Sequence, residues 1–338
     1  MAQQNVLTRN HYFDYLRGLA IIMVVGIHTY PGNLSWHGKW YEFIGVLLIN
    51  FFNCAVPLFL TISGYFIAKK KLSSFKECLI FWKKQIPTVY IPCLIFSLPW
   101  LVLHCFTGDY EEYWKMLIKY FLCGYSVYYF ILLIIECYVL APFLIKHNSK
   151  NLLVIVSIIS CVLMFILEIV KYHYRIELPL IVRGSAPVML LFFYIGIFLS
   201  KHSRDYSLWI PISMMIVGLI AGIIQMDYVE SHTDVSGQGQ KITLFLFDVG
   251  FILLCMSKKL EFQYKDNVLT RAILYIGEIS FGIYFTHVYL ILIGDYFFPS
   301  LRVNWITLWL FSLLLTIAII NVVKYIAPQW SKRWLGYR

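Results

Sequence analysis

Apolar runs of 17 or more residues recur from one end of the chain to the other, separated by short polar breaks. Each is long enough to cross a hydrocarbon core about 30 Å thick. The runs predict spans at 12–30, 43–68, 86–106, 126–146, 151–171, 186–201, 207–225, 241–257, 271–293 and 304–323. A backbone in lipid must satisfy its own hydrogen bonds, so all are expected to be helices. The predicted fold class is all-α integral membrane, a bundle of about ten transmembrane helices in one domain over 1–338, with no stretch left for a soluble domain.

The polar breaks orient the bundle. With the N-terminus in the cytoplasm, 19 of the 28 Lys and Arg residues fall on the cytoplasmic face, 8 on the other, and Arg17 within the first span. That bias predicts N-in, C-in. Acids such as Glu177, Asp227, Glu230 and Asp295 lean to the external loops. The polar, Gly-containing connection 226–240 reads either as an acceptor-facing loop or as a plain linker.

Composition agrees: 60% hydrophobic and 14% charged residues, against about half and a quarter in a soluble domain. The formal charge of +10 is spread over short loops, which speaks against a nucleic-acid partner and for membrane lipid. Cys54, Cys93, Cys123, Cys137, Cys161 and Cys255 fall in or beside apolar runs without C-x-x-C spacing, so they read as small hydrophobes. No metal-ligand pattern is expected. The first run contains Arg17 and has no small-x-small cleavage site, so it is expected to remain as a span.

A charge at the bilayer centre costs about 2.5–3.5 kcal/mol on insertion scales, which singles out Asp14, Arg17, His28, Glu136, Asp248, Glu278 and His287. Arg17 and His28 are eleven residues apart, about 20° past three full turns with a rise of roughly 16 Å. They therefore share one helical stripe, and Asp14 is spaced to pair with Arg17. Two readings stay open. The stripe lines a passage between leaflets, or Arg17 snorkels beside Asp14 and His28 is an interfacial structural residue. His287, taken alone, reads as a structural histidine bonded to a neighbouring helix.

In the second span, Pro57 and Thr61-Ile62-Ser63-Gly64-Tyr65 interrupt the apolar run, for close helix packing or for a backbone opened beside a ligand. Lys69, Lys70, Lys71, Lys76, Lys83 and Lys84 put six cations in sixteen residues, for topogenic retention or for attracting phosphate or anionic lipid.

The block Asp14-Tyr15-Leu16-Arg17-Gly18-Leu19-Ala20 ending at His28 resembles the first span of the membrane acyltransferase-3 family, Asp-x-Leu-Arg-[Gly/Ala]-x-Ala and then histidine. Three more blocks resemble it in order: Val56-Pro57-Leu58-Phe59 with Ser63-Gly64-Tyr65, Tyr129-Phe130 leading to Tyr138 and Pro142, and Ile279-Ser280-Phe281-Gly282-Ile283-Tyr284 with His287. Many members have Arg-x-x-Arg near the third span, where this chain has Gln85 and Thr88. The chain is similar to the stand-alone type, without a fused hydrolase-like domain.

The resemblance implies an O-acyltransferase, commonly an O-acetyltransferase, in the inner membrane of a bacterium. Acyl-CoA, commonly acetyl-CoA, would be a co-substrate with no bound cofactor, and the acceptor a glycan or lipid-linked sugar of the envelope. His28, Arg17 and Asp14 are the catalytic candidates: His28 as base, Arg17 on donor phosphate or carbonyl, Asp14 orienting it. Ser63, Lys83 and Lys84 join Arg17 as donor-binding candidates, with Glu136, Tyr129, Glu278, Ser280, Tyr284 and His287 behind them. A membrane transporter or flippase, and a non-catalytic membrane scaffold, are the rival readings.

Overall fold

The computed structural model describes residues 10–30, 40–107, 113–233, 236–265, 267–299 and 305–337. Among them every regular element is helical. In chain order the helices are α1 (His11–Thr29), α2 (Trp40–Phe52), α3 (Ala55–Ile67), α4 (Phe75–Thr107), α5 (Tyr113–Phe121), α6 (Tyr129–Lys146), α7 (Lys150–Tyr172) and α8 (Leu180–Arg183). There follow α9 (Ala186–Lys201), α10 (Trp209–His232), α11 (Ile242–Met256), α12 (Lys258–Gln263), α13 (Val268–Glu278), α14 (Ser280–Phe297) and α15 (Trp305–Ile326).

Among the described residues seven stretches are long and apolar enough to cross a membrane, eight if α13 and α14, bent by 80°, count as one broken span. The two remaining expected spans correspond to α1, whose hydropathy is lowered by Asp14, Arg17 and its histidines, and to α11, only 15 residues long. Large apolar side chains such as Ile155, Ile158, Val162 and Phe165 on α7 and Ile216, Val217 and Ile220 on α10 are exposed. A surface of this kind is stable where the solvent is lipid.

α1 is the central helix. It packs on α2, α3, α13, α14 and α15, while Tyr12 Oη donates to the Cys255 carbonyl of α11 (2.7 Å) and Trp309 Nε1 of α15 donates to the Ile22 carbonyl (2.9 Å). Its start is fixed by Asn10, whose side chain accepts from the Tyr12 amide at 3.0 Å. Against α13 the approach is backbone to backbone. A Cβ at Gly18 would strike the Ile273 carbonyl, and one at Gly277 the Asp14 carbonyl.

Two expected straight spans are broken. The run 43–68 divides at Asn53 and Cys54, because Pro57 has no amide to donate to residue 53 and its ring crowds that carbonyl. Thr61–Tyr65, the segment that reads as an interruption, is continuous helix instead. Its small residues serve packing: a Cβ at Gly64 would meet the Phe193 carbonyl, one at Gly196 the Thr61 carbonyl, and Thr61 Oγ1 donates to Phe192 O at 2.9 Å. The run 271–293 breaks at Ile279, which holds φ −98° and ψ 9° between α13 and α14.

Two boundaries also move. The third expected span, now α4, starts at Phe75 and not at 86, so its 33 residues reach about 50 Å and carry Lys76, Lys83 and Lys84 on the extension. The connection 226–240 is half helix, since α10 runs on to His232. Of its remainder, residues 236–240 are tied down. Lys171 Nζ donates to Ser236 O (2.7 Å), Lys241 Nζ to Gly237 O (2.9 Å), and the Gly237 amide to Glu230 Oε1 (3.2 Å). The plain-linker reading is therefore corrected: half-buried Lys171 on α7 and Glu230 on α10, and fully buried Lys241 at the α11 cap, take these carbonyls and amides as partners.

Candidate functional site

One cavity of about 1040 Å³ runs through the bundle, and Arg17, Val24, Ile27 and His28 of α1 all line it. These positions lie on one stripe at 3.6 residues per turn, the geometry expected of Arg17 and His28.

At the Arg17 end, Arg17 Nη1 donates to Asp14 Oδ1 at 2.7 Å. Asp14 is nearly sealed at 4% side-chain exposure while Arg17 keeps 34%. The guanidinium lies 5.2 Å from the centre of the Phe66 ring, and the same ring has Lys69 Nζ at 5.3 Å. Lys69 and Lys70, both exposed, line the cavity here. Ser63 of α3 and Glu278 and Ser280, on either side of the α13–α14 bend, join this wall. The bend matters to the site, because the Gly18 and Gly277 contacts bring the end of α13 onto the Asp14 turn.

The other end is located by α7. Tyr194 Oη of α9 accepts from the Ser149 amide at 2.9 Å, so α7 starts beside the half of α9 against which Gly64 packs. The last turn of α7 lies about 30 Å further along. There Lys171, Tyr172, Arg183 and Gln238–Gln240 line the cavity. Glu168 is occupied: it accepts from the Ile242 amide at 2.6 Å and from Gln225 Nε2 at 2.9 Å. Behind this wall Lys241 is fully buried, its ammonium donating to Gly222 O at 3.1 Å and Gly237 O at 2.9 Å.

His28 is open to the cavity, and its ring centre lies 5.4 Å from that of His287. His287 is fully buried. Its Nδ1 is 2.9 Å from the Ile283 carbonyl, which can only accept, so Nδ1 carries the proton and Nε2 keeps a lone pair. That Nε2 has no hydrogen-bond partner among the described residues. His287 thus bonds within its own helix and packs against His28 with the rings tilted by 35°, in place of the expected bond to a neighbouring helix.

Of the other expected residues, Tyr129 and Tyr284 line the cavity, Tyr284 Oη donating to Val127 O at 2.7 Å. Tyr129 fits because Gly184 leaves room for its ring. Glu136 does not line the cavity. It accepts from the Ala186 amide at 2.6 Å and caps α9. Lys83 and Lys84 are exposed on α4 outside the lining, whereas Gln85 and Thr88 are part of it. The cations at this mouth are Lys69 and Lys70, from the same basic run. Asn53, Lys171 and Arg183 escaped the sequence reading. Pro57 marks the break that exposes Asn53, but nothing in the local sequence distinguishes Lys171 or Arg183 from a topogenic charge.

The fold and cavity define a multi-pass membrane protein with a polar, positively charged passage through an all-helical bundle. The family described as "acyltransferase domain" matches residues 10–324, and the chain belongs to this acyltransferase-3 family. It is a membrane acyltransferase. No curated protein and no solved structure matches it.

Proposed function

We propose that the chain is an O-acyltransferase that moves an acyl group, commonly acetyl, from cytoplasmic acyl-CoA to a hydroxyl of an envelope glycan or lipid-linked sugar. In this reading all ten apolar segments span the inner membrane of a bacterium, with both termini in the cytoplasm. The observation that carries it is the single cavity shared by Arg17 and His28, with cations at the Arg17 end and an open imidazole further along.

The donor's phosphates would rest on Arg17, Lys69 and Lys70, with Asp14 holding the guanidinium in place through its 2.7 Å bond. Lysine supplies charge here without the fork of arginine, consistent with Gln85 and Thr88 standing where many members have arginines. Arg17 and His28 are too far apart, roughly 16 Å along the axis, to touch one carbonyl. An extended pantetheine arm spans that distance. His28 then takes the acceptor proton as the oxygen bonds to the thioester carbonyl carbon. The carbon–sulfur bond breaks, and the imidazolium returns the proton to the coenzyme A thiolate.

The test is purified protein in lipid nanodiscs with labelled acetyl-CoA, followed by mass spectrometry of envelope glycans and lipids added as acceptors. Transfer by the wild type and its loss in His28→Ala is the expected result. Transfer unchanged in a folded His28→Ala would refute the assignment. Because the cavity is lined at both ends, movement of a glycan intermediate is a second reading. Flipping in sealed vesicles without acyl-CoA would favour it.

A further inference from the structure

We propose that Arg183, with Lys171, Tyr129 and Tyr172 around it, forms an anion subsite at the end of the cavity remote from Arg17, taking a carboxylate or phosphate group of the acceptor sugar. The acceptor role rests on the proposed function; the anion site itself does not.

Arg183 ends α8 and lines the cavity with its side chain 30% exposed. Among the described residues its one ion pair is from Nη2 to Glu177 Oε1 at 3.3 Å, and Glu177 is 77% exposed, so that bond competes with solvent. The Nε is buried and has no partner among the described residues. A guanidinium presents five donors in a planar fork suited to a bidentate oxyanion, and here most of the fork is unspent. A buried donor left without an acceptor is unfavourable, and a bound oxyanion would relieve it.

The surroundings favour an anionic sugar over a neutral one. Lys171 lines the same end and gives two of its three protons to Ser236 O (2.7 Å) and Gln238 O (3.4 Å). Glu168, the carboxylate lining this end, is held by the Ile242 amide and Gln225 and turned to the protein. Its charge offsets one of the two cations. Tyr129 and Tyr172 supply aromatic surface in the same wall, suited to the apolar face of a pyranose. Gly239, at φ 95° and with open space where a side chain would stand, leaves room at the rim. The charge pattern separates the two substrates: donor phosphates at Arg17, Lys69 and Lys70, the acceptor anion at Arg183 and Lys171.

The experiment is ligand-observed saturation-transfer NMR on the full chain in phosphatidylcholine nanodiscs. The probes are methyl glucoside, methyl glucuronoside and glucose 1-phosphate, with coenzyme A binding measured in parallel. Wild type is expected to bind at least one anionic sugar about tenfold or more tightly than methyl glucoside, equivalent to about 1.4 kcal/mol. A preference for the glucuronoside alone points to a uronate, and for glucose 1-phosphate alone to a sugar phosphate. Arg183→Gln is expected to erase the preference and keep coenzyme A binding, whereas Arg17→Gln keeps the preference. Equal binding of all three sugars by wild type, or a preference that survives Arg183→Gln, overturns the proposal. Should Arg183→Gln lose its thermal transition, Arg183→Lys decides: reduced selectivity supports the fork, unchanged selectivity overturns it. Sugar selectivity without acyl transfer would leave this site standing and remove the proposed function.

Discussion

Single side chains at membrane depth carry the chemistry, and their roles separate by what remains unspent. Asp14 is committed to Arg17 at 2.7 Å, whereas Arg17 and His28 both face the cavity. Replacing His28 by Ala is expected to lower kcat by about 10²–10⁴-fold, read as the rate of labelled acyl transfer. Arg17→Lys keeps the charge but loses the fork, so it is expected to raise the KM for acyl-CoA more than it lowers kcat.

Helix contacts decide where those side chains end up. The Asp14–Arg17 turn meets Glu278 and Ser280 because Gly18 and Gly277 let α1 and α13 touch through backbone. A methyl group at Gly277 has the backbone of Asp14 and Gly18 to push against, neither of which can move aside as a side chain would, so Gly277→Ala is expected to destabilise by about 1–3 kcal/mol, as overpacking does. Denaturation in detergent checks this, and Gly239→Ala, with no atom nearby but a positive φ, should cost less. The element-level pattern was largely legible. The Asp14 and Arg17 spacing gave the pair, whereas Pro57 with Thr61–Tyr65 marked an interruption in the wrong place, since the chain breaks at Asn53 and Cys54 and runs on as helix through Tyr65. The 80° bend at Ile279 was not legible, because the segment holds neither proline nor a run of polar residues there, and its direction follows from how α13 docks on α1.

Across the whole molecule the cavity joins charges about 30 Å apart, roughly twenty residues' worth of helix, into one path. A bulky residue between them should divide it. Val24 lines the passage between Arg17 and His28 in sequence, so Val24→Trp is expected to abolish acyl transfer while coenzyme A binding persists at the Arg17 end. Topology is checked by cysteine substitution at Lys69 and at Gln238 with impermeant thiol reagents, expected to label from opposite faces of the membrane.

The apolar runs by themselves determined that the chain folds as membrane helices, since unpaired backbone is too costly in hydrocarbon for any alternative. The 3.6-residue period likewise determined that Arg17 and His28 share a stripe. Which cations from the basic run reach the cavity, Lys69 and Lys70 rather than Lys83 and Lys84, depended on where α4 begins and how it leans on its neighbours. The same holds for His287 beside His28, for Glu136 spent as a cap, and for Arg183 opposite Arg17. These are relations between helices distant in sequence. Periodicity fixes direction only within one helix, so packing between helices had to supply the rest.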